Sequence, residues 1–348
     1  MITIQAAIQA LISGRDLERE EMTTIMQRIM GGEATPAQVG GFLVALRMKG
    51  ETVEEITAAA EVMRALATPV RVATDSLVDT CGTGGDGAQT FNISTTCAFV
   101  AAAAGARVAK HGNRSVSSAS GSADVLEAAG VNLALTPTQV ARCIDEVGIG
   151  FMFAPQHHGA MKHAIGPRRE MGVRTVFNVL GPLTNPADAP SQVIGVFDDA
   201  WRRPLASVLE RLGSRHAMVV HADDGMDEIS VCAPTRVSEL RDGHIEDYTI
   251  EPEAFGLCRY PDANAIKAET VAESLTLMTG VLEGEIDGAA RDIVLLNAGA
   301  AIYVAGCSSS LADGVGQAVT AIDSGAASAR LNALVAFSQR LSAEGSEA

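Results

Sequence analysis

Between residues 79 and 95 the chain reads DTCGTGGDGAQTFNIST, with glycine at 82, 84, 85 and 87, followed by Thr90, Asn92, Ser94 and Thr95. Placed between a strand and a helix, such a loop turns successive backbone N–H groups and the helix N-terminus toward one point, which is how phosphate is commonly held. Glycine suits the task because a side chain would hold the anion away from the amides, and because such loops use positive φ. Neither standard phosphate motif is complete. No lysine lies between residues 50 and 109, which removes the Walker pattern, and Gly82-x-Gly84-x-x-Gly87 lacks a clean acidic strand end about twenty residues on. The plainer alternative is a tight surface turn in which glycine serves sterics alone.

The stretch AKHGNRSVSSASGSADVLEAAG, residues 109–130, repeats the strand–loop–helix pattern and brings Lys110, His111, Asn113, Arg114 and Ser122. Two such loops at one edge of a parallel sheet face a common crevice. Between residues 105 and 175 eight basic residues stand against five acidic ones, in a chain whose net charge is −16. Positive charge is therefore concentrated here. In QHHGAMKHAIGPRREMGVRTVFNVLGPLTNP, residues 156–186, His157 and His158 are adjacent and cannot share one helix face, so one of the two faces the cleft. No third ligand at suitable spacing supports zinc. Arg168 and Arg169 carry the planar fork that grips a carboxylate, and Gly181-Pro182 reads as a rigid turn between domains. In HADDGMDEISVCA, residues 221–233, Asp223, Asp224, Asp227 and Glu228 gather beside a strand. Adjacent carboxylates suit Mg²⁺ shared with substrate phosphates; a solvated acidic turn would read the same way.

These residues need elements to position them. The first 67 residues show helical spacing in IQAAIQALISG, MTTIMQRIMGG, AQVGGFLVALRMKG and VEEITAAAEVMRALA. Thr35 before Pro36, and Thr52 with Glu55, read as N-caps, while Gly14, Gly31 and Gly50 stand where helices stop. From about residue 76 the runs SLVDTCG, ARVAKHG, VNLAL, IGFMFA, SQVIGVF, HAMVVHA and DEISVCA alternate with alanine-rich helical stretches. That alternation predicts a mostly parallel sheet flanked by helices on both faces. The fold class is α/β, with a small N-terminal helical domain over residues 1–70 and a large α/β domain over 71–348. A length of 348 residues agrees with two domains.

With 47% apolar but only 4% aromatic residues, the composition disfavours an aromatic-rich β-sandwich. The acidic balance argues against nucleic-acid and anionic-membrane partners. Six dispersed cysteines without a C-x-x-C pair predict a reduced, cytoplasmic protein. The longest apolar stretches are too short to span a bilayer.

Taken in order, GTGGD (82–86), NISTT (92–96), KHGNR (110–114), SGSADVLEAAG (120–130), RRE-GVRT-FN-LGPLTNP (168–186) and the Asp227-Glu228 pair in GMDEIS resemble the anthranilate phosphoribosyltransferase family nearly end to end. The resemblance implies transfer of phosphoribose from phosphoribosyl diphosphate to the amino group of anthranilate, with Mg²⁺. It also implies a helical domain completed by a segment around 160–185, and a homodimer. By the same match, Gly82, Gly84, Gly85, Asp86, Thr90, Asn92, Ser94, Thr95, Lys110 and Ser122 surround phosphoribosyl diphosphate. Gly82, His111, Asn113, His158 and Arg168 line the anthranilate path, and Ser94, Asp227 and Glu228 serve magnesium. Gly159 stands where the family carries proline after the histidine, which leaves the choice between His157 and His158 open. No general base is assigned. The alternatives are a pyrimidine nucleoside phosphorylase, disfavoured by Asp227-Glu228 and KHGNR, and a non-catalytic nucleic-acid binder, disfavoured by the net charge.

Overall fold

The threonines read as caps each close a capping box. Thr35 Oγ1 accepts from the Gln38 N–H and Thr52 Oγ1 from the Glu55 N–H, while the Gln38 and Glu55 side chains bond back to the cap backbones. They open two of four N-terminal helices, α1 (Ile4–Ile12), α2 (Arg19–Met30), α3 (Pro36–Lys49) and α4 (Val53–Leu66). Gly31 and Gly50 cap the ends of α2 and α3. Fully buried Glu55 also accepts from the Leu17 N–H at 2.9 Å and pairs with Lys49 at 2.8 Å, so one carboxylate ties three segments together.

The computed structural model describes residues 2–115 and 120–346. Residues 116–119, within the serine-rich run of the second loop, lie outside the described residues. After α4 the chain runs through β1 (Leu77–Gly82), α5 (Ile93–Ala103), β2 (Arg107–Gly112), α6 (Ser122–Ala128), α7 (Pro137–Arg142) and β3 (Ile149–Phe153). Next come α8 (Ala154–His157), α9 (Lys162–Met171), α10 (Phe177–Leu180), β4 (Ser191–Gly195), α11 (Arg202–Arg211) and β5 (His216–Ala222). Then β6 (Thr235–Arg241), β7 (His244–Ile250), α12 (Val271–Leu282), α13 (Ala289–Val304), α14 (Leu311–Asp323) and α15 (Ala326–Ser346) complete it.

One sheet runs β3-β2-β1-β4-β5-β6-β7, parallel from β3 to β5 and antiparallel at β6 and β7. Alternate residues feed two cores. Val193, Met218 and Val220 pack beneath α5, α13 and α15, whereas Ile194, Ala217 and Val219 pack with α11 and the N-terminal helices. The segment after β3 returns to those helices: α9 packs on α2 and α3, and Ala164, Val176 and Phe177 join their core.

Two expected strands are loops. In VNLAL, the Asn132 side chain accepts from the Ala134 N–H at 2.8 Å and the Asn132 N–H donates to Ser338 Oγ, local bonds that replace a ladder. In DEISVCA, Asn297 of α13 bonds both the N–H and the C=O of Ile229, at 2.8 and 2.9 Å, doing what a neighbouring strand would do. The β6–β7 hairpin was not anticipated, although its Asp242-Gly243 turn, with φ of +51° and +76°, carries a strong hairpin signal. Gly181–Leu183 forms a single 3₁₀ turn.

Candidate functional site

Strand order reverses at β1, which lies between β2 and β4, so a crevice opens at the C-terminal ends of these strands. Gly82 of β1 sits opposite Gly195 of β4, and the Thr83 N–H donates to the Gly195 C=O at 2.9 Å. Both glycines are dictated by the turn after β5. A Cβ on Gly82 would collide with the Asp227 carboxylate, and one on Gly195 with the Asp227 backbone. Beyond them Gly84 and Gly85 take φ of +67° and +78°, and the Gly84 N–H points to the acidic turn.

Asp227 Oδ2 accepts from the Gly84 N–H at 2.7 Å, and the Asp227 N–H donates to Asp86 Oδ2 at 3.3 Å. The backbone of Ser94, the second residue of α5, lies near Glu228 and favours its charged form. Burial first, and then Asp86, pushes the Asp227 carboxyl above its usual range; burial and then Asp227 do the same to Glu228. Buried Lys110 donates to the Thr80 C=O at 2.5 Å and to Ser94 Oγ at 3.3 Å. The other acids of the turn face elsewhere: Asp223 pairs with Arg236, and Asp224 accepts from the Ser230 hydroxyl at 2.6 Å.

The glycine loop has a second tether. Arg174 donates to the Gly85 C=O and lies 4.1 Å over the Phe197 ring. Thr90 bridges to Lys267, and the Thr95 hydroxyl is buried without a protein partner. Asn92 bonds Ser120 and Ser274. Ser122 begins α6 with its hydroxyl 3.4 Å from the Asn113 C=O, and Asn113 is exposed. Arg114, grouped by sequence with Lys110 and His111, pairs instead with Asp124 and Glu127 at 2.9 and 2.7 Å.

The two adjacent histidines separate. His157 Nδ1 lies 2.9 Å from the Thr68 C=O, and the Thr68 N–H donates to the His157 C=O, which pins the link between α4 and β1. His158 stands with His111, ring centroids 5.0 Å apart. Both are buried, with Nε2 atoms that lack a protein partner. Burial, reinforced by neighbouring histidines, lowers His111 to about 3 and His158 to about 4, so both are neutral near pH 7. Arg168 lies 5.0 Å over Phe177, and burial lowers its pKa; among the described residues no carboxylate pairs with it. Its neighbour Arg169 is exposed.

Sequence reasoning missed Asp79, which is fully buried on β1. It accepts from the His111 N–H at 3.2 Å and from Asn185 Nδ2 at 2.7 Å. A carboxylate inside an apolar strand was the available signal, since such a group needs partners. Ser274 lies in VAESLTLMTG, which offers no such signal.

A bundle of helices lies against a mostly parallel sheet, with a glycine loop and an acid pair at the switch point, and the family models that match the chain place this arrangement among the glycosyltransferases. Residues 74–328 match the family described as "Glycosyl transferase family, a/b domain", and residues 5–67 the one described as "Glycosyl transferase family, helical bundle domain". The chain is 66% identical to the anthranilate phosphoribosyltransferase of Thioalkalivibrio sulfidiphilus, over 96% of this chain and 98% of that one. The crystal structure of the Thermus thermophilus anthranilate phosphoribosyltransferase is 46% identical and superposes with a TM-score of 0.90, over 96% and 99% of the two chains. The Saccharomyces cerevisiae enzyme in complex with PRPP and Mg shares the fold, with a TM-score of 0.88 at 24% identity over 97% and 98%. The chain therefore belongs to the anthranilate phosphoribosyltransferase family.

Proposed function

We infer that this chain transfers the 5-phosphoribosyl group of phosphoribosyl diphosphate to the amino group of anthranilate, releasing diphosphate, in L-tryptophan biosynthesis. The carrying observation is the meeting of the glycine loop, Lys110 and the Asp227–Glu228 pair at the switch point of the sheet. Gly82, Gly84, Gly85, Asp86, Thr90, Asn92, Ser94, Thr95, Lys110 and Ser122 bind the phosphoribosyl diphosphate.

The residues present fit Mg²⁺. Crowded carboxylates whose acidity is suppressed by burial and by one another gain from a divalent cation. Among the described residues no group of three or more His, Cys, Asp or Glu side chains forms a metal cluster. Mg²⁺ suits such a site because it keeps waters and shares phosphate oxygens. Asp227, Glu228 and Ser94 would hold it. When bound, it neutralises charge on the departing diphosphate.

The amine of anthranilate is neutral at physiological pH, so no side chain is assigned as a general base. The demanding change is loss of diphosphate from C1 as positive charge grows on the sugar. Lys110 and the loop amides not already given to Gly195 and Asp227 are fixed donors for that leaving group, a kind of contact worth ~3 to 4 kcal/mol when one is lost. Arg168 supplies an uncompensated cation for the anthranilate carboxylate. His111, His158 and Asn113, with Gly82, line the path along which the amine reaches C1.

The helical domain, residues 1–70 completed by a segment around 160–185, and the α/β domain, 71–348, form the working unit. Packing of α9 on α2 and α3 supports that division. A homodimer is supported by the exposed apolar side chains Ile12, Val44, Met48, Leu66, Ile165 and Val173, all in the helical layer and the segment around 160–185 that completes it. Six free cysteines suit the cytoplasm, and no helix among the described residues is long and apolar enough to cross a membrane.

The deciding assay follows the loss of anthranilate fluorescence with and without phosphoribosyl diphosphate and Mg²⁺. Loss that needs both supports the reading. Metal-free phosphorolysis of thymidine, with no consumption of anthranilate, overturns it.

A further inference from the structure

We propose that Ser274 is a positioning residue that sets the carboxamide of Asn92 so that one of its amide hydrogens serves phosphoribosyl diphosphate. The inference rests on the reading that Asn92 belongs to that substrate's site. Asn92 is the N-cap residue of α5, and its side chain does not cap its own helix. It is held from outside. Ser274, fully buried on α12, comes from 182 positions away.

The hydrogen bonds fix which way the carboxamide faces. The Asn92 backbone N–H donates to Ser274 Oγ at 3.0 Å, so the hydroxyl is an acceptor there and its own proton is left to donate. That proton goes to Asn92 Oδ1 at 2.7 Å. The Ser120 hydroxyl donates to the same oxygen at 2.8 Å, while Asn92 Nδ2 donates to the Ser120 C=O at 3.3 Å. A carbonyl can only accept, so nitrogen must face Ser120, and the oxygen's two lone pairs are both used. One Nδ2 hydrogen is thereby committed to the protein and the other is left for a ligand oxygen. The Thr96 hydroxyl, donating to the Asn92 C=O at 2.9 Å, holds the backbone from the other side. Without Ser274, Oδ1 loses a donor, the Asn92 N–H loses its acceptor, and the carboxamide regains rotational freedom. Binding the substrate would then have to remove that freedom.

The test compares Ser274→Ala, Asn92→Ala and the double variant in the full chain with saturating Mg²⁺. It reads kcat and KM for each substrate, with a thermal melt for each protein. In Ser274→Ala, KM for phosphoribosyl diphosphate should rise about tenfold while KM for anthranilate stays within about twofold. The double variant should be no worse than Asn92→Ala, because the serine acts through the asparagine. A stability role alone would lower the melting temperature, leave KM in place and add to the Asn92→Ala effect. An unchanged KM in Ser274→Ala beside a raised one in Asn92→Ala overturns the role of Ser274 alone. An unchanged KM in Asn92→Ala removes that residue from the substrate site, and the inference with it. Should Ser274→Ala fail to fold, Ser274→Cys, a weak donor of similar size, must raise KM for the role to stand; a wild-type KM there overturns it.

Discussion

The backbone N–H of Gly84 donates to Asp227 Oδ2 at 2.7 Å across 143 positions of sequence, so the glycine loop and the acidic turn hold each other in place. Gly82 and Gly195 complete the relationship by leaving room for the turn. Gly195→Ala should therefore displace the Asp227 backbone, destabilise the fold by ~1 to 3 kcal/mol and lower Mg²⁺-dependent turnover. Gly316→Ala, in open space within α14, is the control and should be neutral or slightly stabilising. Urea melts and steady-state rates of the two variants check both expectations.

Replacing Asp227 and Glu228 together with alanine should reduce turnover by about a hundredfold or more and remove its response to Mg²⁺. The same change relieves two buried, mutually repelling carboxylates. It also removes the Gly84–Asp227 bond, so gain and loss oppose each other, and the metal-free variant should stay folded with a melt close to that of the metal-free parent. Normal Mg²⁺-dependent turnover would refute the metal assignment.

Arg168→Ala should raise KM for anthranilate by roughly tenfold or more with a much smaller effect on phosphoribosyl diphosphate. Arg168→Lys should recover only part of the loss, since an ammonium lacks the planar fork. Equal effects on both substrates would remove Arg168 from the anthranilate path.

Neutral, buried histidines make a prediction about pH. His111 and His158 have folded pKa values of about 3 and about 4, below the ordinary 6.5. Below pH 6.5 the unfolded chain takes up protons that the folded chain refuses. Their contribution to stability is thus complete above pH 6.5 and is lost as pH falls toward 4, at up to ~1.4 kcal/mol per pH unit for each group. Asp227 and Glu228, raised to about 7 and about 8, take up protons over the same range with the opposite sign, so the histidine contribution is read as a difference: between pH 6.5 and 4.5 the parent should lose more stability, or gain less, than His158→Gln as the pH falls. An unaltered slope in that variant would show that His158 titrates normally.

Met48, 83% exposed on α3, is the most exposed large apolar residue among those described. Met48→Glu should weaken self-association without unfolding the helical layer, which sedimentation at several concentrations would detect. The same sedimentation behaviour in variant and parent would remove Met48 from any such contact.

Local features were legible in the sequence because their causes are local. The Thr35 and Thr52 capping boxes span only a few residues, and the strand-to-helix turn around Gly82–Gly87 is written in four glycines within six positions. The Asp242-Gly243 turn was equally local and was overlooked.

What neighbours in sequence could not decide was which polar groups meet. Tertiary structure turned Arg114 onto Asp124 and Glu127, set His158 rather than His157 beside His111, and gave Ile229 a helix asparagine in place of a strand. Each of these depends on a partner supplied by packing. A buried donor or acceptor takes whatever partner the assembled layers bring within about 3 Å, and the order of residues along the chain does not record that distance.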